Sequence, residues 1–163
     1  VVETTSGNTG IGLAMAAAVR GYRFIAVMSE GNSLERRRML WALGAEVELV
    51  PQPGGLRPGK VSAEDLDAVE RRAAELTAEL GAFRPDQFNS LSNLRCHEET
   101  TGPEIWEQTG GRVDYWTAFV GTGGTFLGVA RALKQRRPEI RCYPAEPAGA
   151  RFLAGEQIVC TQH

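Results

Sequence analysis

An α/β fold is predicted from this sequence: one or more open, mostly parallel sheets with flanking helices. Three observations predict it. Short apolar runs alternate with segments of helical spacing along the whole chain, and strands that all run the same way need such crossover segments between them. Glycines stand where the helical segments end, at Gly21 and Gly44, as they do when a helix closes in the left-handed conformation. A glycine-rich stretch, residues 121–124, falls between an apolar run and a helical segment.

The elements follow in order. Thr4–Gly10 (TTSGNTG) reads as a loop of small, hydrogen-bonding residues, and Ile11–Arg20 as an alanine-rich helix. Arg23–Met28 (RFIAVM) is a short apolar run expected to be a buried strand. Ser33 is placed to cap a helix over Leu34–Leu43, although Arg36 occupies the position where a capping box would have an acid. Glu46–Val50 (EVELV) alternates as a strand does. Pro51–Lys60 is a proline- and glycine-rich loop, after which Ser62 caps a long amphipathic helix with Leu66, Val69, Ala73, Leu76 and Leu80 on one side. Phe83–Phe88 is a possible short strand, and Asn93–Gln108 a helix expected to break near Gly102 and Pro103. Val113–Val120, a turn over Gly121–Gly124, a helix over Phe126–Arg137 and a strand over Ile140–Pro144 complete the series.

Composition excludes several classes. Hydrophobic residues make up 42% and charged residues 23% of the 163 positions, ordinary globular values that argue against disorder. The net charge of -2 argues against a nucleic-acid partner. The run Arg36, Arg37, Arg38 reads as a solvated helix face. Three scattered cysteines, Cys96, Cys142 and Cys160, fit a reducing compartment and hence a cytoplasmic location. Cys160 and His163 have a C-x-x-H spacing, but two ligands do not make a metal site, and none is expected. No apolar run reaches bilayer length, so no membrane partner is expected. The chain opens on Val1 and meets a glycine-containing motif within a few residues, as if entered in mid-domain. His97 with Glu98 and Glu99 reads as a helix-surface cluster, and Trp41, Trp106 and Trp116 as core or domain-contact residues.

The strongest chemical signal is Gly121-Thr122-Gly123-Gly124-Thr125, after a strand and before a helix. Backbone N–H groups at such a junction lack intrahelical partners, the helix dipole adds positive potential, and the threonines add donors. That makes a phosphate cradle without lysine or arginine. A tight turn with no ligand is the alternative. Gly121, Gly123 and Gly128 also resemble a dinucleotide fingerprint, but the spacing is wrong: the third glycine of G-x-G-x-x-G would fall on Phe126. Glu146 keeps that alternative open as a ribose-binding acid. A second signal, Thr5-Ser6-Gly7-Asn8-Thr9-Gly10, suits a carboxylate, a phosphate or a ring oxygen, and equally an ordinary helix cap.

These residues, read in order, resemble the cysteine synthase and cystathionine β-synthase family. The resemblance is carried by residues 5–14 (TSGNTGIGLA), 33–37 (SLERR), 43–46 (LGAE), 87–88 (QF), 101–106 (TGPEIW) and 121–125 (GTGGT). It implies part of the two-domain fold-type-II pyridoxal-phosphate architecture, with residues 1–90 in the smaller, substrate-loop domain and 91–163 in the larger, cofactor-phosphate domain. It also implies that Gly121, Thr122, Gly123, Gly124 and Thr125 hold the pyridoxal 5'-phosphate, and that Asn8 bonds the ring 3'-oxygen. Thr5, Ser6, Thr9 and Gln87 would bind the carboxylate of a small amino-acid substrate. The implied reaction is β-replacement on O-acetylserine or a similar activated serine, in an enzyme expected to be a homodimer at full length.

The sequence departs from that pattern in places. The family's Schiff-base lysine lies upstream of the Thr5–Gly10 loop, and the two lysines here, Lys60 and Lys134, match it in neither position. No catalytic residue is therefore assigned, and this chain alone is expected to be inactive. Ser29 stands where proline is usual, Asn89-Ser90-Leu91 differs from the usual residues after Gln87-Phe88, and no motif of the family is recognised in residues 156–163. A non-catalytic phosphate-binding remnant or interaction protein, and a dinucleotide-binding module, are the competing readings.

Overall fold

A computed structural model describes residues 1–148 together with Leu153 and Gly155; Cys160 and His163 lie outside the described residues. The elements run β1 (Val2–Thr4), α1 (Asn8–Arg20), β2 (Ile25–Ser29), α2 (Leu34–Ala42), β3 (Glu46–Val50), α3 (Ala63–Leu80), α4 (Leu91–Cys96), a π-helical stretch (His97–Thr101), α5 (Gly102–Gln108), β4 (Tyr115–Phe119), α6 (Gly124–Arg136) and β5 (Arg141–Ala145). They form two compact units, one over Val1–Asp86 and one beginning at Gln87. No described helix is long and apolar enough to cross a membrane.

The first unit is a three-stranded parallel sheet in the order β1-β2-β3, with Val2 beside Ile25 and Ile25 beside Glu46. All five residues of β2 are buried, because a central parallel strand meets helices on both faces and so reads as one continuous apolar run. Side chains alternate across it with a period of two. Ala26 and Met28 pack with Ala14 and Ala17 of α1 and Leu40 of α2. Ile25 and Val27, with Val2, pack against Val69, Ala73 and Leu76 of α3. Each large aliphatic side chain so buried stabilises the unit by about 1.5–3 kcal/mol.

Several elements differ from expectation, and four of the differences have identifiable reasons. Helix α1 starts at Asn8 rather than Ile11, because Gly7 serves as its N-cap. Strand β2 starts at Ile25; Arg23 is used instead in an exposed pair with Glu46 at 2.6 Å. Residues 83–88 form no strand. The Phe83 carbonyl accepts from the Val2 N–H, but Asp86 has φ 53°, which turns the chain out of any ladder. The helix does not break at Gly102-Pro103. It widens into the π-helical stretch, where the Gly102 N–H reaches five residues back to the His97 carbonyl, and Pro103 falls in the first turn of α5. Pro103 has no N–H to donate, and helical backbone continues through it directly after the widened turn.

The arginine run is not a plain solvated face. Arg37 donates to the carbonyls of Glu30 and Asn32, and Arg36 donates to Ser6 Oγ at 3.2 Å. Both side chains therefore tie α2 to neighbouring loops, while Arg38 is exposed.

The second unit contains a parallel β4–β5 pair and a core of Val113, Val129, Leu133 and Ile140, with Trp106 and Trp116 packed against it. Trp41, in the first unit, is 49% exposed and lies outside its core. Helix α6 packs on α4, the π-helical stretch and α5. Glycines permit that approach: a Cβ on Gly128 would overlap the Leu94 carbonyl, and one on Gly102 the Ala132 methyl group.

The Pro51–Lys60 loop is tied down through the start of α3. Ser62 and Asp65 form a capping box, and buried Asp65 also accepts from Gln52 Nε2 at 2.8 Å and Arg57 Nη2 at 3.1 Å. Burial pushes the Asp65 carboxyl up, but hydrogen bonds from Ser62 and Gln52 and the Arg57 charge outweigh it and hold it below the usual carboxylate range. A carboxylate with a depressed folded pKa contributes stability that is complete above its unfolded value, about 4, and is lost as pH falls through the folded value. Asp65→Asn should therefore destabilise the protein by about 1–3 kcal/mol at pH 7 in urea unfolding. The gap from wild type should narrow below about pH 4; a pH-independent gap would contradict this assignment.

Candidate functional site

The glycine loop of the second unit leaves β4 at Phe119 and enters α6 at Gly124. Gly123 is the N-cap and has φ +84°, a conformation that costs glycine nothing and side-chain-bearing residues much. The opening N–H groups of this thirteen-residue helix point out of its end. A Cβ at Gly121 would meet no heavy atom within 4 Å, so a ligand can approach the backbone there closely.

Both threonines of the loop are held from α4 and the π-helical stretch. Thr122 Oγ1 accepts from Asn93 Nδ2 at 2.8 Å and from the Gly124 N–H at 3.3 Å. Thr125 Oγ1 lies 3.0 Å from His97 Nε2, and His97 Nδ1 lies 3.0 Å from Thr101 Oγ1. His97 is thus a half-buried bridge, not part of a surface cluster. Glu98 turns elsewhere, accepting from Gln135 Nε2 at 2.8 Å. Gln87 is half-buried, and its carbonyl accepts from the same Asn93 amino group at 3.0 Å.

In the first unit the loop after β1 is organised by Thr5. Its N–H donates to the Val27 carbonyl at 3.1 Å, and its buried Oγ1 accepts from the Gly10 N–H at 2.9 Å and the Gly7 N–H at 3.5 Å. Thr5 therefore caps the first turn of α1 from two residues before the N-cap, and its hydroxyl proton is left to donate. Gly10 fits beneath it; a Cβ there would stand 2.8 Å from Thr5 Cγ2 and 3.3 Å from Leu40 Cδ2. Asn8 is exposed at the first helical position, with Ser6 and Thr9 half-buried beside it. Thr5, Ser6, Asn8 and Thr9 are thus together in the first unit, and Gln87 and residues 121–125 in the second.

Neither lysine stands in these loops. Lys60 is exposed in the Pro51–Lys60 loop, and Lys134 donates to the Pro138 carbonyl near the C-terminal end of α6. Among the described residues no group of three or more histidine, cysteine or acidic side chains could hold a metal ion. The donors at residues 121–125 are neutral and surround an open bend, which fits the phosphate of a cofactor. Gly128 does not extend a dinucleotide fingerprint, because the Leu94 carbonyl closes over it.

The family of pyridoxal-phosphate dependent enzymes matches residues 1–161, so the match runs on through residues 156–161, where no motif of the family is recognised in the sequence. The chain belongs to this family. Cysteine synthase of Staphylococcus aureus (strain N315) is 42% identical over 156 residues, covering 95% of this chain and 47% of that protein. Among solved structures, cysteine synthase from Entamoeba histolytica superposes with a TM-score of 0.84 at 34% identity, covering 97% of this chain and 44% of that one. A hydrogen sulfide-producing enzyme from Fusobacterium nucleatum gives 0.85 at 37% identity, covering 97% and 50%. The chain thus spans about half the length of these relatives. Membership removes the dinucleotide alternative.

Two residues that hold the glycine loop, Asn93 and His97, were not assigned from sequence. Their spacing of four puts them on one helix face, but only the packing of that face on α6 reveals their role. Thr5→Val keeps the shape of the side chain and removes the cap. Chemical unfolding should show a loss of about 0.5–2 kcal/mol; unchanged stability would contradict the capping role.

Proposed function

We propose that this chain forms the phosphate and substrate loops of a pyridoxal-phosphate dependent β-replacement enzyme. The enzyme makes cysteine from O-acetylserine, or a similarly activated serine, and sulfide. Gly121, Thr122, Gly123, Gly124 and Thr125 hold the cofactor phosphate, and Asn8 faces the ring 3'-oxygen. Thr5, Ser6, Thr9 and Gln87 bind the substrate carboxylate. Residues 1–90 belong to the smaller domain and those from 91 onward to the larger. The whole protein is a homodimer of the cytoplasm.

The observation that carries this reading is the open bend at Gly123, where neutral donors converge at the start of α6. It is supported by the cysteine synthase relatives. When bound, the cofactor supplies an electron sink for reaction at the substrate's α-carbon. The chain's residues hold and orient: hydroxyl and backbone donors fix both anionic ends of the ligands, which sets the geometry on which such catalysis depends. A lysine that would hold the cofactor covalently and move the α-proton matches neither Lys60 nor Lys134. The chain alone therefore binds cofactor without forming cysteine.

Pyridoxine 5'-phosphate tests the binding without Schiff-base chemistry at exposed Lys60, because it has no aldehyde. Its fluorescence should report saturable binding that inorganic phosphate weakens. Binding indifferent to phosphate, or no binding, would contradict the proposal.

A further inference from the structure

We propose that Asn93 is a positioning residue that fixes the Thr122 hydroxyl as a hydrogen-bond donor to the cofactor phosphate. This rests on the phosphate reading of residues 121–125.

Donor and acceptor capacity sets the direction of each hydrogen bond around Asn93. A carboxamide amino group carries two N–H donors. In Asn93 one points to the Gln87 carbonyl at 3.0 Å and the other to Thr122 Oγ1 at 2.8 Å. A carbonyl only accepts, so the Gln87 contact settles which end of the amide faces inward. The amide also has little room to turn: a Cβ on Gly124 would overlap its Oδ1, Cγ and Nδ2. Asn93 itself is seated in the first turn of α4, its N–H donating to the Ser90 carbonyl at 3.2 Å.

A hydroxyl has one proton and two acceptor positions. Both acceptor positions of Thr122 are filled, by Asn93 Nδ2 at 2.8 Å and the Gly124 N–H at 3.3 Å. Its proton is thereby left for a ligand. Without the amide donor the hydroxyl could turn and present a lone pair to the phosphate, where it would repel. The same amino group fixes the main chain at Gln87, so a single side chain sets one donor of the phosphate loop and the backbone of a carboxylate-binding residue.

Asn93→Asp tests this at nearly constant shape. A carboxylate in place of the amino group draws the Thr122 proton inward and puts a negative charge beside the loop. Thr122→Val removes the hydroxyl while leaving the Asn93 position intact, so the test stands even if the aspartate variant fails to fold. The measured quantity is the affinity ratio of pyridoxine 5'-phosphate to pyridoxine, which isolates the phosphate contribution. Thr122→Val should lower that ratio about tenfold or more, as loss of one hydrogen bond to a charged group does. Asn93→Asp should lower it at least as far, with the melting temperature reported alongside. Adding Asn93→Ala to the Thr122→Val background should change it little, because the residue through which Asn93 acts is gone. A wild-type ratio in Thr122→Val, or equal effects of Asn93→Ala with and without Thr122, would overturn the role of Asn93 while leaving the phosphate site standing. A wild-type ratio near one would overturn both.

Discussion

A phosphate ester carries about two negative charges at neutral pH, and residues 121–125 contain no cation to meet them. In the proposed site, uncharged donors alone must therefore meet that charge. Gly123 makes this possible, since φ +84° turns the chain abruptly from β4 into α6. The rest of the second unit can be read as support for that bend. Gly128 and Gly102 let α6 approach the α4–α5 segment, and from that segment Asn93 and His97 reach the two threonines. The core of Val113, Val129, Leu133 and Ile140 fixes α6 against the sheet.

The first unit solves a related problem differently. Thr5 buries its side chain and caps α1 with its own oxygen, so the helix starts at Asn8 and presents Asn8 and Thr9 in its first turn. Arg36 reaches Ser6 from α2, where the sequence suggested a solvated charge. The chemistry of this loop thus depends on residues thirty positions away, placed there by the packing of Leu40 and Gly10.

Much of this was legible in the sequence. The continuous apolar run of β2, the alternation of β3 and the Ser62-capped α3 follow from local periodicity, and each stands within two residues of its expected position. The glycine loops followed from composition at a strand-to-helix junction. The start of α1 was missed because Asn8-Thr9-Gly10 looks like turn chemistry until Thr5 is seen to satisfy the Gly10 N–H. The π-helical stretch was missed because Gly-Pro normally breaks a helix, whereas here the ladder widens by one residue. Asn93 and His97 could not be assigned because their partners, Thr122 and Thr125, are 29 and 28 residues away in sequence. Local pattern carries no information about such pairs.

We propose that backbone and hydroxyl donors around Gly123 hold a phosphate group. Amide chemical shifts report that interaction directly, residue by residue. On titration with pyridoxine 5'-phosphate, the N–H resonances of Thr122, Gly123, Gly124 and Thr125 should move saturably and together, and pyridoxine without its phosphate should leave them in place. Shifts confined to other segments, or identical shifts with both compounds, would contradict the account.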